Sequence, residues 1–129
     1  MPNAVALKVL VVDDQNSVRQ MTRMTLEEIG IRHIHEAENG RQGMDIAGLQ
    51  PLDLIISDFN MPEMDGLNFL RAVRGHPVAR KVPFILLTGR GDRELVVKAA
   101  QAGVNNYLVK PFTAAILREK VEQVMGKLS

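Results

Sequence analysis

The chain has 129 residues, a hydrophobic fraction of 46% and a formal net charge of +1. It can bury one core in one domain, and its charge balance argues against a nucleic-acid module, which carries a basic excess on one face. There is no Cys, no apolar run of the length a membrane span needs and no basic, apolar leader in "MPNAVALK". Disulfides, thiolate zinc sites, a Cys nucleophile, a transmembrane helix and a secretory signal are thereby set aside, and the expected setting is the cytoplasm.

Aromatic residues make up only 4% and Trp is absent, so aliphatic side chains and seven methionines must fill the core. The first apolar run, "LKVLVV", ends abruptly in two adjacent acids, Asp13 and Asp14. Two like charges ~4 Å apart cost about 4 kcal/mol at an effective dielectric of ~20, so this ending asks for a reason. Val18, Met21, Thr22, Thr25, Leu26 and Ile29 then recur at helical spacing, and Gly30 suits the residue after the helix. "HIHEA" reads as a second strand. The segment from Gly40 to Leu49 is a weaker helix, because it contains Gly43 and Gly48.

The third strand, "DLIIS", runs into Asp58 within "LIISDFNMPEMDG". Asp65 can cap a helix carrying Leu67, Leu70 and Val73, and Gly66 has a structural role. The fourth strand, "PFILLT", ends at Thr88. Asp92 can cap a helix carrying Leu95, Val96, Ala99 and Ala100 and closed by Gly103. The fifth strand, "NNYLVK", ends at Lys110, and Thr113 can cap a last helix with the stripe Leu117, Val121, Val124 and Leu128. The runs centred on Val9, Ile55, Leu86 and Leu108 are nearly continuous in apolar residues, which marks strands covered on both faces. The pattern is (βα) five times: an α/β fold with an open parallel sheet and helices on both faces.

In such a sheet, ligands bind beyond the carboxyl ends of the strands. Asp13, Asp14, Asp58, Thr88 and Lys110 all fall at those ends. Three carboxylates in one cleft need a cation, and one lysine does not neutralise them. Hard oxygen donors without nearby His or Cys favour Mg²⁺ or a similar ion, which keeps several waters and leaves room for phosphate. The chemistry these groups point to is phosphoryl transfer onto a carboxylate. His33 and His35 would share one face of the second strand, but no third ligand accompanies them and a solvated face is the expectation.

"VLVVDDQ", "LIISDFNMPEMDG", "LLTG" and "YLVKPF", in this order and spacing, resemble the receiver domain of two-component response regulators. The resemblance covers nearly the whole chain, 1–129, with no separate effector domain, and is strongest to the single-domain chemotaxis (CheY-like) members. It implies a flavodoxin-like sheet of order 2-1-3-4-5. It implies that Asp58 is the phospho-acceptor, and that Asp14, Asp58 and the backbone carbonyl of Asn60 bind Mg²⁺, with Asp13 acting through water. Thr88 and Lys110 would bind phosphoryl oxygens, and the Lys110–Pro111 bond would be cis. Thr88 and Tyr107 would form the switch, altering the face of the fourth helix, fifth strand and fifth helix, to which Ile116 and Met125 add apolar contacts. Gly89 leaves room for phosphate beside Thr88, while Asn60 and Arg90 occupy positions that tune phosphoryl lifetime in the family.

The implied protein is a monomeric cytoplasmic signalling switch that catalyses only its own phosphorylation and dephosphorylation. The implied donor is a sensor histidine kinase of the CheA kind. The implied output is a protein such as a flagellar motor switch component or a phosphatase, with no nucleic acid and no membrane. A phosphorelay intermediate or phosphate sink uses the same motif. From another class, a Mg²⁺-dependent aspartyl-phosphate phosphatase would carry a second Asp two residues after its nucleophile, where this chain has Asn60. A flavodoxin would need a hydroxyl-rich first loop, and this one is acidic.

Overall fold

The computed structural model describes residues 3–89 and 93–127. The expected cap at Asp92, the flanking Arg90 and the end of the last stripe at Leu128 lie outside these residues. After a short 3-10 turn at Ala4–Ala6, strands and helices alternate: β1 Lys8–Val12, α1 Asn16–Ile29, β2 His33–Ala37, α2 Gly40–Leu49, β3 Leu54–Asp58, α3 Gly66–Gly75, β4 Phe84–Thr88, α4 Arg93–Gln101, β5 Asn106–Val109 and α5 Ala114–Met125. The five strands form one parallel sheet in the order β2-β1-β3-β4-β5.

The continuous apolar runs follow from helices on both faces. Successive strand side chains point to opposite sides. Leu10, Val12, Ile55, Phe84 and Leu86 pack with Ala47 of α2, Phe69, Leu70 and Val73 of α3, and Leu95 and Ala99 of α4. Val9, Val11, Leu54, Ile56, Ile85 and Leu87 pack with Leu26 of α1 and Leu117 and Val121 of α5. Every residue of β3 and β4 is buried. The fifth strand departs from the expectation of cover on both faces: it lies at the sheet edge, and Tyr107 and Val109 are each 38% exposed.

Local signals account for most boundaries. Gly30 takes the left-handed conformation after α1 and Gly103 does so after α4. The Asp65 carboxylate accepts the Asn68 N–H at 2.8 Å, and the Thr113 hydroxyl accepts the Ile116 N–H at 3.2 Å, so both act as helix caps. Gly43 is not a weakness of α2 but a condition of its packing. A Cβ there would lie 2.7 Å from Cζ of Phe69, whose ring meets Phe84 edge-on at 5.5 Å between centroids. The stripes are narrower than predicted, since Met21 is 39% exposed and Ala100 is exposed too. Thr22 and Thr25 enter the core of α1 by donating their hydroxyls to the Val18 and Met21 carbonyls.

At the sheet edge where β4 and β5 begin, Arg74 of α3 holds two loops together. Its Nη1 donates to the carbonyls of Val82 at 2.6 Å and Arg80 at 3.1 Å. Its Nε and Nη2 both donate to the Gly103 carbonyl, and Nη2 also donates to Asn105 Oδ1. Asn105 Oδ1 in turn accepts the Phe84 N–H at 2.8 Å. Replacing Arg74 by Ala removes these hydrogen bonds, leaving Asn105 Oδ1 only the Phe84 N–H, and is expected to cost about 2 kcal/mol in urea unfolding. Arg74→Lys should recover little of it, because an ammonium cannot reach the same acceptors in one plane. A midpoint unchanged in both variants would remove this role.

Candidate functional site

Four of the five strands, β1, β3, β4 and β5, deliver polar groups to the opposite edge. Asp13 and Asp14 follow β1, Asp58 is the last residue of β3, Thr88 is the last of β4, and Lys110 follows β5. The parallel register sets Asp58 opposite Leu87 and Thr88 opposite Val109, which keeps these ends level. One carboxylate oxygen each from Asp13, Asp14 and Asp58 lie within 4.8 Å of one another. This is the cluster of three acidic, His or Cys ligands found among the described residues, and the two histidines of β2 do not join it.

The acids differ in setting. Asp13 is fully buried, Asp58 is 5% exposed, and Asp14 is exposed. Lys110 Nζ lies 2.9 Å from Asp58 Oδ1 and 3.4 Å from Asp13 Oδ2. Burial pushes the Asp58 carboxyl above its ordinary value. The Lys110 hydrogen bond opposes this and the neighbouring Asp13 charge adds to it. One ammonium therefore leaves the cluster under-neutralised. The donor set fits a hard divalent cation, being all oxygen, crowded and partly open to solvent. The fit extends to the adjoining cleft of ≈ 560 Å³, lined by Asp14, Phe59, Asn60, Met61, Pro62 and Asp65.

The Thr88 hydroxyl is buried and has no hydrogen-bond partner among the described residues. A buried unpaired hydroxyl costs free energy, and its place at the acidic edge gives it a use when a new acceptor arrives. Thr88 also opens onto a groove shared with Gly89, Val96, Val97, Tyr107 and Val109. Tyr107 faces outward, with Lys120 Nζ 5.6 Å from its ring centroid. Ile116 is 42% exposed on α5, whereas Met125 turns partly onto the core and contributes less to that face than expected.

The turn between β5 and α5 has the cis Lys110–Pro111 bond that the sequence resemblance implied, and the Lys110 N–H donates to the Thr88 carbonyl at 2.7 Å. On the other side, Gly66 begins α3 directly beneath Asp58. A Cβ at Gly66 would fall 2.3 Å from the Asp58 carbonyl oxygen and 2.8 Å from Leu86 Cδ1. Asp13 and Asp14 do not cap α1: the cap position is Gln15, without a side-chain bond, and Asp13 Oδ1 instead accepts the Gln15 N–H at 2.9 Å.

Sequence reasoning missed two charged residues behind the cleft. Arg19 of α1 is buried and Glu36 of β2 receives it. Burial would raise the Glu36 carboxyl, but hydrogen bonds from Arg23 and Arg19 outweigh it and hold the group below its ordinary value. The available signal was the run Asn16, Arg19, Arg23 at three- and four-residue spacing, facing an acid near the end of a strand that otherwise sent nothing to the site.

The chain is similar to known proteins over nearly its whole length. Residues 9–122 match the response regulator receiver domain. A probable chemotaxis protein CheY of Rhizobium etli is 49% identical over 128 residues, covering 99% of each chain. The chemotaxis response regulator CheY4 of Vibrio cholerae is 36% identical with a TM-score of 0.85, over 92% of this chain and 98% of that one. The receiver domain of a sensor histidine kinase from Pseudomonas aeruginosa, solved with a magnesium ion in its active-site cleft, is 30% identical. Its TM-score is 0.80, over 94% of this chain and 99% of that one.

The raised Asp58 carboxyl has a measurable sign. Without metal, its protonated form favours the fold, so that contribution is complete below the ordinary value of 3.8 and is lost as pH rises through the raised one. Asp58→Asn is expected to unfold at higher urea than the parent at pH 7. The gap should close as both proteins are taken below the ordinary carboxylate range. A variant less stable than the parent at pH 7 would overturn this account of the cluster.

Proposed function

The chain belongs to the response regulator receiver domain family, and on that premise we propose that it is a phosphorylation-driven signalling switch with Asp58 as the phosphoryl acceptor. The observation that carries this reading is the buried Thr88 hydroxyl, without a partner among the described residues, standing at the same edge as Lys110 and three crowded carboxylates. These groups form a receiving set for a tetrahedral anion.

Transfer proceeds from a phosphohistidine on a sensor kinase. An Asp58 carboxylate oxygen forms the new P–O bond while the P–N bond to the donor breaks and its electron pair returns to the imidazole. Lys110, already at Asp58, keeps its positive charge and turns its donors to the phosphoryl oxygens. The Thr88 hydroxyl donates to another of these oxygens. Asp14, Asp58 and the Asn60 carbonyl, with Asp13 through water, would hold Mg²⁺, which when bound would supply positive charge to offset the three acids as a phosphoryl group approaches. Deep burial of Asp13 in the β1–α1 turn and exposure of Asp14 support that division. Asn60 in place of an acid at this position favours a switch over a phosphatase acting on external esters.

Engagement of Thr88 draws it toward the site and gives Tyr107 room along their common groove. The face of α4, β5 and α5, with Val97, Tyr107, Val109 and Ile116 exposed, then reads out the state. Full reversal of a 1:99 population takes ~5.5 kcal/mol of differential binding, so the partner shares in closing the switch. The near full-length likeness to a probable chemotaxis protein supports a cytoplasmic, monomeric switch fed by a CheA-like kinase and acting on a flagellar motor component or a phosphatase.

Incubation with acetyl phosphate and Mg²⁺ should add one phosphoryl group to the parent chain and none to Asp58→Asn. Equal labelling of the two would move the acceptor elsewhere. Excess chelator should stop labelling while leaving the far-ultraviolet dichroism of the folded domain unchanged. Undiminished labelling in chelator would remove the metal from the mechanism.

A further inference from the structure

Arg19 sits on the first turns of α1 and is 9% exposed, yet its three guanidinium nitrogens serve three different acceptors. Nη1 donates to the Asp13 backbone carbonyl at 2.7 Å, Nη2 to Asn16 Oδ1 at 2.8 Å, and Nε to Glu36 Oε1 at 2.9 Å. Glu36 is itself anchored on β2 and also accepts from Arg23 Nη1 at 2.7 Å and from Gln20 Nε2 at 3.0 Å. The strand that sends no group to the cleft therefore reaches it through a charged bridge.

The turn that this bridge grips is the one carrying Asp13 and Asp14. Its other ties are few: the Asp13 N–H donates to the Ala37 carbonyl at 3.1 Å and the Gln15 N–H donates to Asp13 Oδ1. Helix α1 begins without a side-chain cap. Repulsion among the three acids acts to spread this turn whenever no cation is bound. Lys110 restrains the Asp13 side chain, and Arg19 restrains its main chain.

Resting on the phosphoryl-acceptor reading above, we infer that Arg19 is a positioning residue that holds the Asp13–Asp14 turn in its cation-binding form, with Glu36 as its anchor. A turn that must be reassembled at each binding event lowers affinity, and groups behind metal ligands commonly act in this way. A lysine keeps the charge but cannot satisfy three acceptors in a fixed plane.

Mg²⁺ titrated calorimetrically into the full chain tests this with three proteins: the parent, Arg19→Lys and Arg23→Gln. Arg19→Lys should bind about 10-fold more weakly. Arg23→Gln removes a comparable partner from Glu36 without touching Asp13 and should bind as the parent does. Hydrogen exchange in chelator gives a second readout, in which the Gln15 amide should exchange faster in Arg19→Lys and unchanged in Arg23→Gln. If Arg19→Lys does not fold, Glu36→Gln, which loosens Arg19 while leaving it on Asp13, should show the same two changes to a smaller degree. Parent-like affinity in a folded Arg19→Lys, or equal weakening in Arg23→Gln, overturns the positioning role. A parent that takes up no Mg²⁺ overturns the phosphoryl-acceptor reading instead, and the Gln15 exchange rates then decide the role of Arg19 alone.

Discussion

Crowding of negative charge is the constraint around which this molecule is organised. Oxygens from Asp13, Asp14 and Asp58 meet within 4.8 Å at one edge of a sheet whose interior is otherwise largely apolar. Such a cluster survives only if the backbone beneath it is stiff and its charge is partly met from several directions. The buried strands β1, β3 and β4 supply the stiffness. Lys110 meets the charge from β5, and Arg19 steadies the turn from α1.

The two ends of the sheet are built on opposite principles. At the acidic end, demands are left unmet: burial raises the Asp58 carboxyl above its ordinary value, and the Thr88 hydroxyl has no hydrogen-bond partner among the described residues. At the other end, Arg74 and Asn105 satisfy carbonyls and an amide from two loops at once. Local discomfort at a functional edge is thus carried by over-determined structure elsewhere in the same strands. The core divides accordingly, with α2, α3 and α4 on one face and α1 and α5 on the other. The helices whose ends border the cleft are seated on both halves.

Much of this was legible in the residues themselves. Strand positions, caps at Asp65 and Thr113 and the polar strand ends follow from hydrophobic runs, turn chemistry and the rule that parallel sheets bind at their carboxyl edges. Strand order and the cis bond came from the family resemblance, because nothing in an apolar run says which neighbour it will pair with. What stayed hidden depends on tertiary approach. Gly43 reads as a helix weakness until Phe69 is seen against it. The pairing of Arg19 with Glu36 emerges only once a different strand is brought beside α1. The fifth strand reads as covered on both faces until it is found at the sheet edge with Tyr107 and Val109 exposed.

Gly66 shows how far the demands of the site extend into residues that have no reactivity. The start of α3 is pressed so closely on the Asp58 main chain that the smallest side chain would overlap its carbonyl oxygen. Tolerance to substitution along this chain should therefore not track chemical function. A position offering only a hydrogen atom is as unforgiving as the carboxylate it supports, and a catalogue of intolerant sites assembled from ionisable side chains alone would omit the floor on which they stand.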